Sequence, residues 1–150
     1  MIFILIIIGI FILEHVIKEY IEDNKEMHKK EEILGGKIII NRYHNKGVFL
    51  NLLDNNVKLV KALSCVILGI LLVAFAIILP SKKKTGVKLG LSLILGGGAS
   101  NLYDRFKRGY VVDYFSFNVK KLKRIIFNIS DICIFVGSAI LLISEFRGND

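Results

Sequence analysis

Ala62–Leu79, ALSCVILGILLVAFAIIL, runs for 18 residues without a charge or a proline. At about 1.5 Å per residue a helix of that length spans most of a ~30 Å hydrocarbon core. Three further apolar blocks flank it. Met1–Leu13 (MIFILIIIGIFIL) is uncharged and carries on in a largely apolar pattern to Tyr20 or Ile21. Leu89–Tyr103 (LGLSLILGGGASNLY) is shorter and rich in Gly and Ser, and Ile125–Ile143 (IIFNISDICIFVGSAILLI) is interrupted by Asn128, Ser130 and Asp131. Any one block alone reads as a buried core helix. Four of them, with the charges almost wholly between, predict a polytopic, all-α membrane protein. The expected spans are about 1–21, 60–80, 86–104 and 125–146, in a single domain.

The bulk composition fits that placement. The chain has 150 residues, 53% apolar, with 21 Lys and Arg against 13 Asp and Glu and a net charge of +8; its mean hydropathy is +0.57. Soluble domains are usually about 45–50% apolar. One Pro and no Trp exclude collagen-like and Pro-rich classes, and two Cys are too few for a disulfide framework. A chain both apolar and basic is either a nucleic-acid binder or a membrane protein with charged connections. The basic, aromatic stretch from Arg105 to Arg124 is pinned between two spans, where Tyr, Phe, Lys and Arg are ordinary membrane-surface chemistry, so no nucleic-acid partner is expected.

The first block reads as a retained span and not as a cleaved leader. It lacks a basic start, and Glu14, His15 and Lys18 stand where a small-residue cleavage site belongs. Gly35-Gly36 followed by Lys37–Tyr43 predicts a turn and a short strand in the first connection, with Gly47–Leu50 as a second strand or an interfacial segment. Charge leaves the orientation open. Lys82, Lys83, Lys84 and Lys88 argue for a cytoplasmic second connection, but the other two connections carry even more basic residues.

Asp131 is the residue that does not belong, because an ionised carboxylate inside a span costs roughly 2.5–3.5 kcal/mol. Asp113 lies near the end of the adjacent block, and a short re-entrant connection brings both to one side of the membrane. Two carboxylates sharing a site hold one proton between them, so one can activate water while the other polarises a carbonyl. The same pair also reads as a structural partner for Arg105, or as a proton relay in a carrier. His15, His28 and His44 have no metal-binding spacing and His15 and His44 suit an interface; no cofactor is expected. Cys65 and Cys133 read as packing residues, and Gly96-Gly97-Gly98 as a site of close helix approach.

LGGGASNLYDRFKRGYVVDYFSF, followed by FNISD, resembles two signature boxes of the lipoprotein signal peptidases (signal peptidase II). Their usual form is GGAxGNLxDR…GxVVDF, then FNxAD. Gly96, Gly97, Asn101, Leu102, Asp104, Arg105, Gly109, Val111, Val112 and Asp113 match, as do Phe127, Asn128 and Asp131. Glu14-His15-Val16-Ile17-Lys18 resembles the family's DQxxK box with Glu for Asp and His for Gln, and His44-Asn45-Lys46-Gly47 resembles the start of its HNxGAAF box.

The resemblance implies four spans with both termini cytoplasmic and a small extracytoplasmic β-cradle between spans one and two, in the bacterial cell membrane. It implies an intramembrane aspartyl endopeptidase with Asp113 and Asp131 as the catalytic pair near the outer face. The substrate implied is a diacylglyceryl prolipoprotein, cut before its lipidated Cys. Asn45, Asn101, Arg105 and Asn128 would bind substrate or globomycin-type inhibitors; Glu14, Lys18 and Asp104 are assigned to structural ion pairing. Membrane lipids surround the chain, and a monomer is expected. Val48-Phe49-Leu50-Asn51 departs from the small residues of the third box, Gly98 and Ser100 alter the glycine box, and Ser130 replaces Ala. The alternative function is a relative that binds lipopeptides or regulates without cutting, or that takes an altered substrate.

Overall fold

The computed structural model describes residues 1–47, 56–120 and 122–146. Its order is α1 (Ile2–Asn24), β1 (Lys30–Ile33), β2 (Ile38–Asn45), α2 (Val57–Ile78), α3 (Thr85–Lys107), β3 (Val111–Phe117), a 3-10 turn at Leu122–Arg124, and α4 (Ile129–Phe146). The protein is predominantly helical with one small sheet. Val48-Phe49-Leu50-Asn51 lies outside the described residues.

Glycine and serine decide which helix is central. α3 packs against α1, α2 and α4. A Cβ on Gly97 would stand 2.5 Å from the Ser130 carbonyl oxygen, and one on Gly137 would stand 2.6 Å from that of Gly90. Gly90 and Gly137 thus let the α3 and α4 backbones touch, the close approach through small residues typical of helices in lipid. Gly97→Ala and Gly137→Ala are each expected to destabilise by about 1–3 kcal/mol through forced separation of α3 and α4. Gly69, with open space where its Cβ would be, is the control: Gly69→Ala should change stability by no more than about 1 kcal/mol, favourably. Thermal unfolding in detergent measures all three.

The outer helices present apolar side chains outward. α2 buries Val60 and Phe75, while Val66, Ile67, Ile70, Leu72, Val73 and Ile77 are exposed. A surface of this kind is untenable in water and natural in lipid. α2 and α4 are each long and apolar enough to cross a membrane. Glu14, Lys18 and Glu19 interrupt α1, and glycine and serine lower the apolarity of α3.

The sheet order is β1-β2-β3, antiparallel throughout. Gly35 and Gly36 turn β1 into β2 with φ of +66° and +80°, a backbone open to glycine at no steric cost. The sheet is not confined to the first connection: Val111–Phe117 adds its third strand from the connection between α3 and α4. Its β-branched and aromatic residues favour a pleated surface, and Gly109, at φ +84°, lets the chain leave α3 and enter the sheet almost at once. Val112 and Tyr114 pack with Ile21 of α1, which docks the sheet on the helix ends.

The fourth helix begins at Ile129 and not at about 125. Phe127 bridges to Phe115 as an extended residue, and Asn128 starts the helix. Asp131, which lies within the apolar block from Ile125 to Ile143, therefore sits in the first turn of α4.

Candidate active site

Asn128 and Asp131 form a reciprocal cap. The Asp131 backbone N–H donates to Asn128 Oδ1 at 2.8 Å, and the Asn128 backbone N–H donates to Asp131 Oδ2 at 3.2 Å. This is the capping-box geometry, which satisfies two donors at a helix start. The same Asn128 side chain reaches the strand: its Nδ2 donates to Asp113 Oδ1 at 2.7 Å. One asparagine thus joins both carboxylates.

Two further asparagines complete the set. Asn45, at the end of β2, donates to Asp113 Oδ2 at 3.0 Å. Asn101 on α3 donates to Asp131 Oδ1 at 3.0 Å. Asp113 is almost completely buried. Burial, reinforced by the neighbouring Asp131 charge, pushes its carboxyl up to about 8 from an ordinary 3.8, against the hydrogen bonds from Asn45 and Asn128.

Arg105 lies one turn along from Asn101. Its Nη2 donates to the Gly47 carbonyl at 2.8 Å and its Nη1 to the Asn101 carbonyl at 3.3 Å. Its Nε is buried with no partner among the described residues.

Of the side chains named above, all but Asn128, which is fully buried, line a cleft of about 1020 Å³ between α2 and α4. Asn45, Asn101, Arg105, Asp113 and Asp131 line its polar end; Leu68 and Leu71 of α2 face Ile134 and Phe135 of α4 along the rest. A polar end joined to an apolar groove suits a ligand with a peptide part and an aliphatic part.

A profile of the signal peptidase II family matches residues 6–147 of the chain. The chain belongs to the signal peptidase II family. Lipoprotein signal peptidase of Allorhizobium ampelinum is 32% identical over 95% of this chain and 86% of its own. That of Wigglesworthia glossinidia brevipalpis is 31% identical over 94% of this chain and 92% of its own. A bacterial membrane enzyme solved by the in meso method at 2.3 Å superposes with a TM-score of 0.83 at 23% identity, over 97% of this chain and 87% of that one; at that identity the likeness concerns the fold. Signal peptidase II enzymes are membrane proteases of lipoprotein processing.

Glu14, Lys18 and Asp104 are not in the cleft. They form a buried cluster behind it, with Lys18 Nζ 3.3 Å from Glu14 and 3.1 Å from Asp104. Lys18 also donates to Ser100 Oγ at 3.0 Å and to Asn101 Oδ1 at 2.9 Å, which connects this cluster to the asparagine on Asp131. Asp104 accepts the Val112 backbone N–H at 3.2 Å and pairs with Arg108. His15 packs edge-on against Tyr103, and His44 stacks on Tyr110 while contacting Glu22 at 2.7 Å.

Tyr114 and Ser130 had no role in the sequence reading, yet both are buried and both bond to Glu14. The spacing Asn128-x-x-Asp131 was itself a legible helix-start signal. Tyr114 stands where the usual family form has Phe and Ser130 where it has Ala, and these two departures were the visible hints of extra hydroxyls.

Proposed function

We propose that the chain is an intramembrane aspartyl endopeptidase that removes signal peptides from diacylglyceryl-modified prolipoproteins by cutting before the lipidated Cys. One observation carries it: two carboxylates tied to the same asparagine stand among polar groups in a cleft whose remaining lining is mostly apolar.

Asp131 lies at a helix N-terminus, which favours negative charge, and it acts as general base. It takes a proton from water as the water oxygen bonds to the scissile carbonyl carbon, while Asp113 gives its proton to the carbonyl oxygen. The tetrahedral intermediate then collapses: the C–N bond breaks, the Asp131 proton passes to the leaving amine, and Asp113 recovers a proton from the gem-diol. Arg105 and Asn45 hold substrate backbone; Asn101 and Asn128, expected from the resemblance to bind substrate, orient the pair through the hydrogen bonds they give to it. The acyl chains lie along Leu68, Leu71 and Phe135, and the cleft admits substrate sideways from the lipid. Globomycin-type inhibitors occupy the same cleft.

All four helices span the membrane, and both termini are cytoplasmic. Lys82, Lys83 and Lys84 connect α2 to α3 in a stretch without acidic residues, from Asn55 to Tyr103, and suit an anionic cytoplasmic leaflet. At the opposite end Lys25, Arg42, Lys107 and Arg108 sit in ion pairs with neighbouring carboxylates. The sheet and the aspartates then face outward. The protein works as a monomer.

The test is a synthetic diacylglyceryl prolipoprotein peptide with purified protein in lipid bicelles, read by mass spectrometry. The expected product begins at the lipidated Cys, and the unlipidated peptide is not cut. Products starting elsewhere, or none, contradict the assignment. The kcat/KM profile has a matching expectation. Asp113 must be protonated, and burial pushes its carboxyl up to about 8, so activity is expected to fall as pH rises out of the neutral range.

A further inference from the structure

Glu14 is fully buried on α1 and belongs to no step of the reaction described above. Its two oxygens divide their partners. Oε1 accepts from the Tyr114 hydroxyl at 2.5 Å, and Oε2 accepts from the Ser130 hydroxyl at 2.7 Å. Tyr114 follows Asp113 on β3, and Ser130 precedes Asp131 on α4. The same Tyr114 oxygen accepts the Ile129 backbone N–H at 3.1 Å, at the first residue of α4. One carboxylate on a third element therefore grips the immediate neighbour of each aspartate.

Alternation along the strand sends Tyr114 to the face opposite Asp113. The grip thus comes from behind, and leaves the cleft face open. Lys18, 3.3 Å from Oε2, balances the charge of Glu14, and its bonds to Ser100 and Asn101 join the same cluster. Four departures from the usual family form meet here: Glu14 for Asp, Ser100 for Gly, Tyr114 for Phe and Ser130 for Ala. Two of the hydroxyls bond to the very carboxylate whose side chain is one methylene longer. Such a set is mutually dependent, since a shorter Asp at 14 cannot reach both hydroxyls from the same backbone.

We propose that Glu14 is a positioning residue for the aspartate pair, setting the separation of Asp113 and Asp131 by holding the residue next to each. This rests on the assignment of that pair as catalytic. Misplacement of reacting groups by a fraction of an ångström lowers turnover without weakening substrate binding made elsewhere in the cleft.

The experiment measures kcat and KM on the diacylglyceryl prolipoprotein peptide for Tyr114→Phe, Ser130→Ala, their double, and Glu14→Asp in the wild-type and double-variant backgrounds, with unfolding temperature alongside. Tyr114→Phe and Ser130→Ala each remove a single oxygen, so the double variant decides the matter even if Glu14→Asp fails to fold. Each single change is expected to lower kcat about 10-fold with KM within about twofold. Glu14→Asp lowers kcat in the wild-type background and costs nothing further in the double variant, where nothing is left to hold. A double variant with kcat within about twofold of wild type, losses confined to KM, or an equal Glu14→Asp loss in both backgrounds overturns the proposal. Asp113→Asn and Asp131→Asn run in parallel: if they too retain turnover, the catalytic assignment has failed, and if they are inactive while the double variant is not, only the positioning role has.

Discussion

Asp131→Asn and Asp113→Asn are each expected to lower kcat for prolipoprotein cleavage by about 10³-fold or more while leaving a folded, substrate-binding protein. Asn has the volume of Asp but cannot take a proton from water or give one to a carbonyl oxygen. The loss should therefore appear in kcat, since the substrate contacts proposed for Asn45 and Arg105 do not need a proton from the pair. The fold should tolerate both changes. Each variant keeps the side-chain volume, and one side-chain oxygen remains to accept one of the two hydrogen bonds that each aspartate now accepts. The unfolding temperature is expected to stay within about 5 °C of wild type. Steady-state kinetics beside a thermal melt separates this from simple unfolding; near-wild-type turnover in either variant ends the two-aspartate mechanism.

The largest expected effect on stability comes from Lys18→Met. Lys18 is fully buried between Glu14 and Asp104 and also donates to Ser100 and Asn101. Met keeps much of the volume and none of the charge. Glu14 is then left in the interior without a cation, and Asp104 keeps Arg108 alone. Breaking a buried ion cluster by removing one partner costs about 3–5 kcal/mol, because the charges that remain are uncompensated. Reversible unfolding in mixed micelles should report a loss of that size. A change under about 1 kcal/mol would mean that the cluster is hydrated or that its carboxylates take up protons in compensation.

The helical blocks were legible because apolar runs of this length leave few alternatives, and α2 was the clearest, being uncharged from Ala62 to Leu79. The boundaries were less so. Ile125, Ile126 and Phe127 continue the apolar run of α4, yet they are outside the helix because Phe127 pairs with Phe115 and Asn128 caps. Hydropathy does not see that difference, whereas the capping spacing does. The third strand was hidden for a related reason: Val111–Phe117 was weighed with its basic flanks as a surface connection, although its own residues are those of a strand.

The candidate site was legible through paired carboxylates and the resemblance, residue by residue for Asp113, Asp131, Asn45, Asn101, Arg105 and Asn128. The resemblance also set Glu14, Lys18 and Asp104 apart as structural ion pairing; what sequence did not carry was which hydroxyls join that cluster. Glu14 and Ser130 are 116 positions apart, and no local pattern reveals that a carboxylate on the first helix bonds to a hydroxyl on the last. Gly97 shows the same limit in another form. Its triplet signalled close approach, and only the packing identified Ser130, the residue beside Asp131, as what it approaches.

The most direct test of the central claim is infrared difference spectroscopy of the wild-type protein against Asp113→Asn, titrated from pH 5 to 10 in lipid. A protonated carboxyl band is expected at pH 7, lost as pH rises through about 8, and missing from Asp113→Asn. Two ionised carboxylates throughout that range, with no such band in the wild type, would contradict a proton shared by Asp113 and Asp131.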